Sequence, residues 1–248
     1  MLPIFEKSAL LNTDESKSNF HESKKLNKLL DIFENAIRLI EIYKGNHYQF
    51  SDNICITLPY VGNEDNLVNA LLIVNRLYNE FAREGYFLRG GMDIGWFLDD
   101  KSIAIGMPLA NSYKLESIKA KHPRILLSDK FVNLTNLYIK RGYINEDLVY
   151  IWEYGVMRKS KINFINPFSL ILNYDDKESK IGFLRKFKFN IQKQLNNHEK
   201  NKKVLKKYNW LRKLYNNFII FYCKNYKEIE VETLFTVSEI NKLKKLKI

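Results

Sequence analysis

Cysteine is almost missing from this chain: Cys55 and Cys223 are the only two in 248 residues. They lie far apart and form no metal-type pair, so neither a disulfide framework nor a thiolate metal site is expected, and a reducing cytoplasm is the simplest setting. With 5 Pro and 10 Gly the chain holds no collagen-like repeat and no flexible low-complexity linker. No apolar run approaches the roughly 18 residues of a membrane span; the best candidate, 218–223, is far too short. No basic stretch followed by an apolar one opens the chain, so no secretory signal is expected. The 4 histidines, at 21, 47, 122 and 198, are scattered and are assigned no metal. No Ser-His-Asp order, phosphate-cradling glycine loop or Cys-His nucleophile stands out.

Hydrophobic material, by contrast, is plentiful. Hydrophobic residues make up 46% of the chain and aromatics 14%, enough for the core of one domain, or of one domain with an appendage. The net charge of +12 is unevenly placed. Residues 177–248 carry 19 Lys and Arg against 6 Glu, whereas the remainder is nearly balanced. The basicity therefore belongs to the C-terminal third, which points to an anionic partner for that segment alone.

Residues 24–44 read as a helix, with Leu26, Leu29, Leu30, Phe33, Ile37 and Ile40 at three-four spacing. Two short strands flank Ser51-Asp52-Asn53; Ile54, Ile56 and Leu58 share one face of the second, Cys55 and Thr57 the other. A helix capped by Asn63 runs to about residue 84 on the stripe Leu67, Leu71, Val74, Leu77, Tyr78, Phe81. The run from 86 to 109 reads as a hairpin turning at Asp99-Asp100-Lys101. Its first strand sets Leu88, Met92, Ile94 and Trp96 on one face and Arg89, Gly91, Asp93 and Gly95 on the other. Glycines inside a strand mark the close approach of a ligand or of another backbone. A helix started by Pro108 follows at 109–121, then a strand at "PRILLS". Strands are expected within 148–172, two helices over 177–225, and a short basic or frayed helix at the end. The order predicts an α+β domain, with helices covering one face of a mainly antiparallel sheet.

"FSDN" at 50–53, "LRGGMDIGWFLDDKSIAIGMPLANSYKLE" at 88–116 and "PRILLS" at 123–128 together resemble the catalytic domain of class III nucleotidyl cyclases. The resemblance is nearest to the small bacterial branch that includes the Pycsar anti-phage pyrimidine cyclases. It covers roughly 25–130 well and 160–215, with "FINPFS" and "KYNWL", loosely. It implies a ferredoxin-like, palm-type antiparallel sheet for residues 1–175 and a basic helical extension, 176–248, packed on it. It also implies a homodimer that converts a nucleoside triphosphate, with UTP or CTP as candidates, to the 3′,5′-cyclic form for a separate effector in anti-phage defence.

In that chemistry two divalent ions, Mg²⁺ or Mn²⁺, held by two carboxylates, clamp the attacking and leaving oxygens. By the resemblance Asp52 is one metal aspartate, and Tyr48, Phe50, Ser51, Arg89, Gly91 and Asp93 lie against the nucleotide. The second metal aspartate belongs to a preceding apolar strand. "LLDIF" at 29–33 copies part of its motif, but Asp31 sits inside a periodic helix, so that strand is expected to be absent. Where adenylyl cyclases place Asn and Arg four apart, this chain has Ala110 and Lys114; Lys114 keeps the charge without the bidentate fork, and Asn111 next door is the substitute. The adenine-reading pair aligns with Tyr48 and Ile103, which argues against adenine.

The bland readings stand beside these. Asp52 also fits a plain turn residue, Arg89 and Asp93 a same-face ion pair, and Lys114 with Glu116 a solvated helix face. Two other functions stay open: an inactive cyclase-like protein that binds nucleotide or pairs with another chain, and a nucleic-acid-binding protein using Lys and Arg beside Tyr208, Trp210 and Tyr215.

Overall fold

The computed structural model describes residues 16–50, 53–60, 64–100, 103–143, 149–150, 162–168, 175–226, 229–230 and 234–245. Ser51, Asp52, Asn63 and Lys101 lie outside them, as does much of the 148–172 segment. The chain is a mixed α+β protein with small, mainly antiparallel sheets, and among the described residues no helix is long and apolar enough to cross a membrane.

Helix α1 (Ser16–Ile42) and helix α2 (Glu64–Arg83) pack side by side. Leu29 and Ile32 of α1 are buried against Leu77 and Phe81 of α2, and Phe33 meets Phe81 edge-on at 5.0 Å. Leu30 stays half exposed, because the next residue along a helix is turned about 100° from its neighbour and two adjacent leucines cannot face one groove. Asp31 is an exposed residue of α1, as the periodicity implies. Strands β1 (Asn46–Phe50) and β2 (Asn53–Thr57) form the expected antiparallel hairpin, Tyr48 opposite Cys55. Ile54 and Ile56 of β2 lean on the α1–α2 groove.

The second sheet corrects the sequence reading. The glycine-rich strand is short: β3 (Gly90–Met92) leaves its ladder before Asp93. It pairs in parallel with β6 (Ile125–Leu127), Gly90 opposite Ile125 and Met92 opposite Leu127, and not with the strand that follows it. The hairpin is a separate two-stranded sheet, β4 (Leu98–Asp100) against β5 (Ile103–Ile105). Strands β8 (Phe164–Ile165) and β7 (Val149–Tyr150) extend the β3–β6 pair in antiparallel fashion, giving the order β3-β6-β8-β7. Just past the ladder the Ser128 N–H still donates to the Met92 carbonyl at 2.9 Å, and the Asp93 carboxylate accepts from Asn111 and Ser128.

Helix α3 (Met107–Lys114) starts at Pro108, as expected, and runs on as a π-helical turn, Leu115–Lys119. Helix α4 (Asp129–Lys140) was not anticipated. Ser128 caps it by accepting the Phe131 N–H at 3.0 Å, and its buried face is Phe131, Val132, Thr135 and Tyr138.

Helices α5 (Lys177–Asn197) and α6 (Lys202–Tyr226) form the expected pair and close the main core. Phe168, Phe187, Tyr215 and Phe218 stack there with Leu71, Tyr78 and Phe87 in the same cluster. Asn190 donates to the Ala82 and Arg83 carbonyls at 2.8 Å each, and Gln194 to Gly85 at 2.9 Å. These amides satisfy the carbonyls left over at the end of α2. A terminal helix α7 (Val237–Lys245) opens with a Thr236–Glu239 capping box, and Lys188 of α5 binds Glu239 at 2.8 Å.

Gly91 tests how tightly β3 is packed. A Cβ there would overlap the Ser112 carbonyl oxygen and sit 2.6 Å from Leu115 Cβ. Both are backbone-fixed atoms that cannot swing away, so Gly91→Ala is expected to destabilise the fold by about 1–3 kcal/mol. The urea-unfolding midpoint should fall with little change in slope; an unchanged midpoint would show that α3 does not press on β3.

Candidate functional site

The polar face of β3 is the floor of the site, and α3 lies on it, running the opposite way. Asp93 meets Asn111, Gly91 meets Ser112 and Leu115, and Arg89 meets Glu116 in the π-turn. The alternation read from the sequence holds as far as Ile94, with Leu88, Met92 and Ile94 turned to the core, and fails at Trp96, which is exposed. What covers the polar face is helix backbone. The glycine at 91 admits α3, and Arg89 and Gly91, expected against a nucleotide, face α3 and its turn. Arg89 pairs with Glu116 and not with Asp93, so Glu116 belongs to an ion pair and not to a solvated face.

Asp93 is the junction of three elements. Its Oδ2 accepts the Asn111 amide at 2.9 Å and its Oδ1 accepts the Ser128 hydroxyl. Ser128 is at once the α4 cap, so one carboxylate links the end of β3 to α3 and to the start of α4. Two expected site residues, Asp93 and Asn111, are in direct contact. Ser128 was missed; its position one residue before the acidic first turn of a helix was the available signal.

A second carboxylate, Asp99, joins the two hairpins. It accepts hydrogen bonds from Asn46 (2.9 Å), from the Tyr48 hydroxyl and from the Thr57 hydroxyl. Asn46 and Thr57 are cross-strand partners and Tyr48 is two residues along, so all three donors project from one face of β1–β2. The sequence read Asp99 only as a turn residue, because its partners lie more than 40 positions away. This bond to Asp99, with burial second, pushes the Tyr48 phenol up to about 12. Burial, then the same carboxylate, raises the half-buried Cys55 thiol.

Lys114 is exposed in the last turn of α3, three residues past Asn111. Phe50 closes β1; Ser51 and Asp52, in the bend between β1 and β2, are outside the described residues. Among the described residues no three His, Cys, Asp or Glu converge as a metal site would need. Asp93 and Asp99 are already committed to hydrogen-bond donors. Asp52, the metal ligand expected from the resemblance, lies outside the described residues.

The outward side of the second hairpin is mostly apolar, with Asp100 the acid on that face. Leu98, Ile103 and Ile105 share the face opposite Asp99 and are at least half exposed. Beside them Trp96 is 83% exposed, with Met107 and Tyr113 of α3 also open.

The Tyr48–Asp99 bond has a direct readout. The folded-state pKa lies above the unfolded value of about 10, so the contact contributes fully below that pH and is lost as pH rises from about 10 toward about 12. In ¹³C-tyrosine NMR, with Tyr48→Phe for assignment, Tyr48 should titrate last among exposed tyrosines and return toward about 10 in Asp99→Ala. Ordinary titration in the parent protein would mean that the hairpins are not clamped.

No protein-family model, curated protein or solved structure matches the chain significantly.

Proposed function

We propose that this chain is a class III-type nucleotidyl cyclase domain with a ferredoxin-like, palm-type core, converting UTP or CTP to a 3′,5′-cyclic nucleotide. It acts in the cytoplasm as a homodimer whose product serves a separate effector in anti-phage defence. The sequence resemblance supplies the chemistry, and the Asp99 clamp is the observation that carries it. That clamp docks the β1–β2 hairpin, at its Asn46–Thr57 end and through Tyr48, on the hairpin that follows the glycine-rich strand, an arrangement that supports the reading.

The reaction joins the ribose 3′-oxygen to the α-phosphorus and breaks the bond to the oxygen bridging the β-phosphorus, releasing pyrophosphate and a proton. Mg²⁺ or Mn²⁺, held by Asp52, would neutralise triphosphate charge and favour ionisation of the 3′-hydroxyl. Lys114, exposed at the end of α3, gives the phosphates a positive charge without bidentate geometry. Asn111, its amide oriented by Asp93, directs a fixed dipole to the same region. Tyr48 stays a neutral phenol, oriented by Asp99, and lies near the base. The apolar strip from Trp96 to Tyr113 is the surface that a second copy covers.

The nucleic-acid alternative loses its stacking platform. Tyr208, Trp210 and Tyr215 are 2%, 6% and 1% exposed, so their faces belong to the core and not to bases.

Purified protein with Mn²⁺ and each NTP should release cyclic nucleotide and pyrophosphate in equal amounts, from a species that sediments as a dimer. Asp52→Ala should cut the rate at least about a hundredfold while the fold persists. No product from any of the four triphosphates, or full activity in Asp52→Ala, would refute the reading.

A further inference from the structure

At the far end of the β3–β6 pair from Asp93, the segment before β6 packs on α6. Arg124 there is 7% exposed, and among the described residues its guanidinium makes no hydrogen bond and no ion pair; Nε is buried outright. Its charge rests on two rings, with Cζ 5.4 Å from the centre of Phe164 and 5.2 Å from that of Trp210. His122 stacks flat on Trp210 at 4.8 Å, and its Nδ1 is also buried without a partner.

The residues around this pair are cations. On α6, Lys203, Lys206, Lys207 and Trp210 recur at three-four spacing and so form one stripe. The charges of Lys121, Lys206, Lys207 and Arg124 bear on His122, and those of Arg89 and Lys203 bear on Lys207. Glu116 is the acid acting on Lys207, and it is already paired with Arg89.

A buried cation without an acceptor is costly, and ring contacts offset only part of that cost. The electrostatics agree: burial lowers Arg124 to about 10, and burial together with the surrounding cations lowers His122 to about 4. An arginine whose Nε is buried without an acceptor, with lysines around it, suits a multiply charged tetrahedral oxyanion. A monocarboxylate would leave most of these charges unmatched. The near-complete burial of Arg124 admits a free anion or a terminal phosphate but not a polymer backbone.

We propose that the seam between residues 121–124 and α6 is a phosphate-binding site, in which Arg124, Lys206, Lys207 and Lys121 take a small phosphate-bearing anion. It lies at the opposite strand ends from Asp93 and does not depend on the cyclase reading.

Titration calorimetry on the intact protein at low salt tests this with inorganic phosphate, pyrophosphate and AMP as probes. One saturable site is expected for at least one of them, with the His122 ring resonances shifting on binding. Saturation by phosphate or pyrophosphate identifies a free-anion site; saturation by AMP alone identifies a nucleotide's terminal phosphate. Lys207→Gln, a change at a partly exposed position, should weaken binding about tenfold, and Arg124→Met should abolish it. If Arg124→Met fails to fold, Lys207→Gln and Lys206→Gln decide the matter. No saturable heat with any probe, or equal affinity in the parent and lysine variants, overturns the proposal.

Discussion

The Asp93 carboxylate is the constraint around which the sheet end is organised. Just past β3 it accepts from Asn111 and Ser128, and Ser128 is the cap at which α4 begins. Each of those bonds is charge-assisted, and each ties down a different element. With α3 thus anchored at one end and the Arg89–Glu116 pair at the other, the glycine between them lets the helix backbone rest on the strand. Asp99 repeats the device one level out, bringing three donors of the first hairpin onto one carboxylate of the second. Two acids therefore hold together pieces that share no ladder: the β1–β2 and β4–β5 hairpins are separate sheets among the described residues.

The basic C-terminal third has a double character. Its aromatic side builds the core, with Tyr208, Tyr215 and Tyr222 among the most buried side chains. Its lysine side faces outward, except where the first turns of α6 meet the 121–124 segment. Charge that looked like a generic polyanion surface in the sequence is thus divided into a solvated face and one concentrated patch around Arg124. The two ends of the β3–β6 pair are correspondingly different: carboxylate knots at one, uncompensated cations at the other.

Much of this was legible in the sequence where one period dominated. The α2 stripe from Leu67 to Phe81 is buried throughout, and the first hairpin, the turn of the second and the α5–α6 pair lie where the pattern put them. What was not legible depended on partners distant in the chain. The parallel pairing of β3 with β6 joins segments with a helix between them, and the glycine strand looked like the first arm of the next hairpin. Helix α4 escaped notice because its buried face includes Thr135 and Tyr138, which blur the apolar period. Asp93 and Asn111 were singled out separately, and their contact emerged only in three dimensions. Asp99 passed for a turn residue for the same reason.

The proposed activity requires Asp52 to hold a metal ion over a triphosphate that also meets Asn111 and Lys114. A crystal structure with Mn²⁺ and a non-cyclisable triphosphate analogue tests that most directly. The account predicts an anomalous manganese peak bonded to an Asp52 oxygen at about 2.1–2.2 Å, with the triphosphate reaching toward Asn111 and Lys114 and the base near Tyr48. A manganese peak and nucleotide located elsewhere on the molecule, with Asp52 contacting neither, would contradict it.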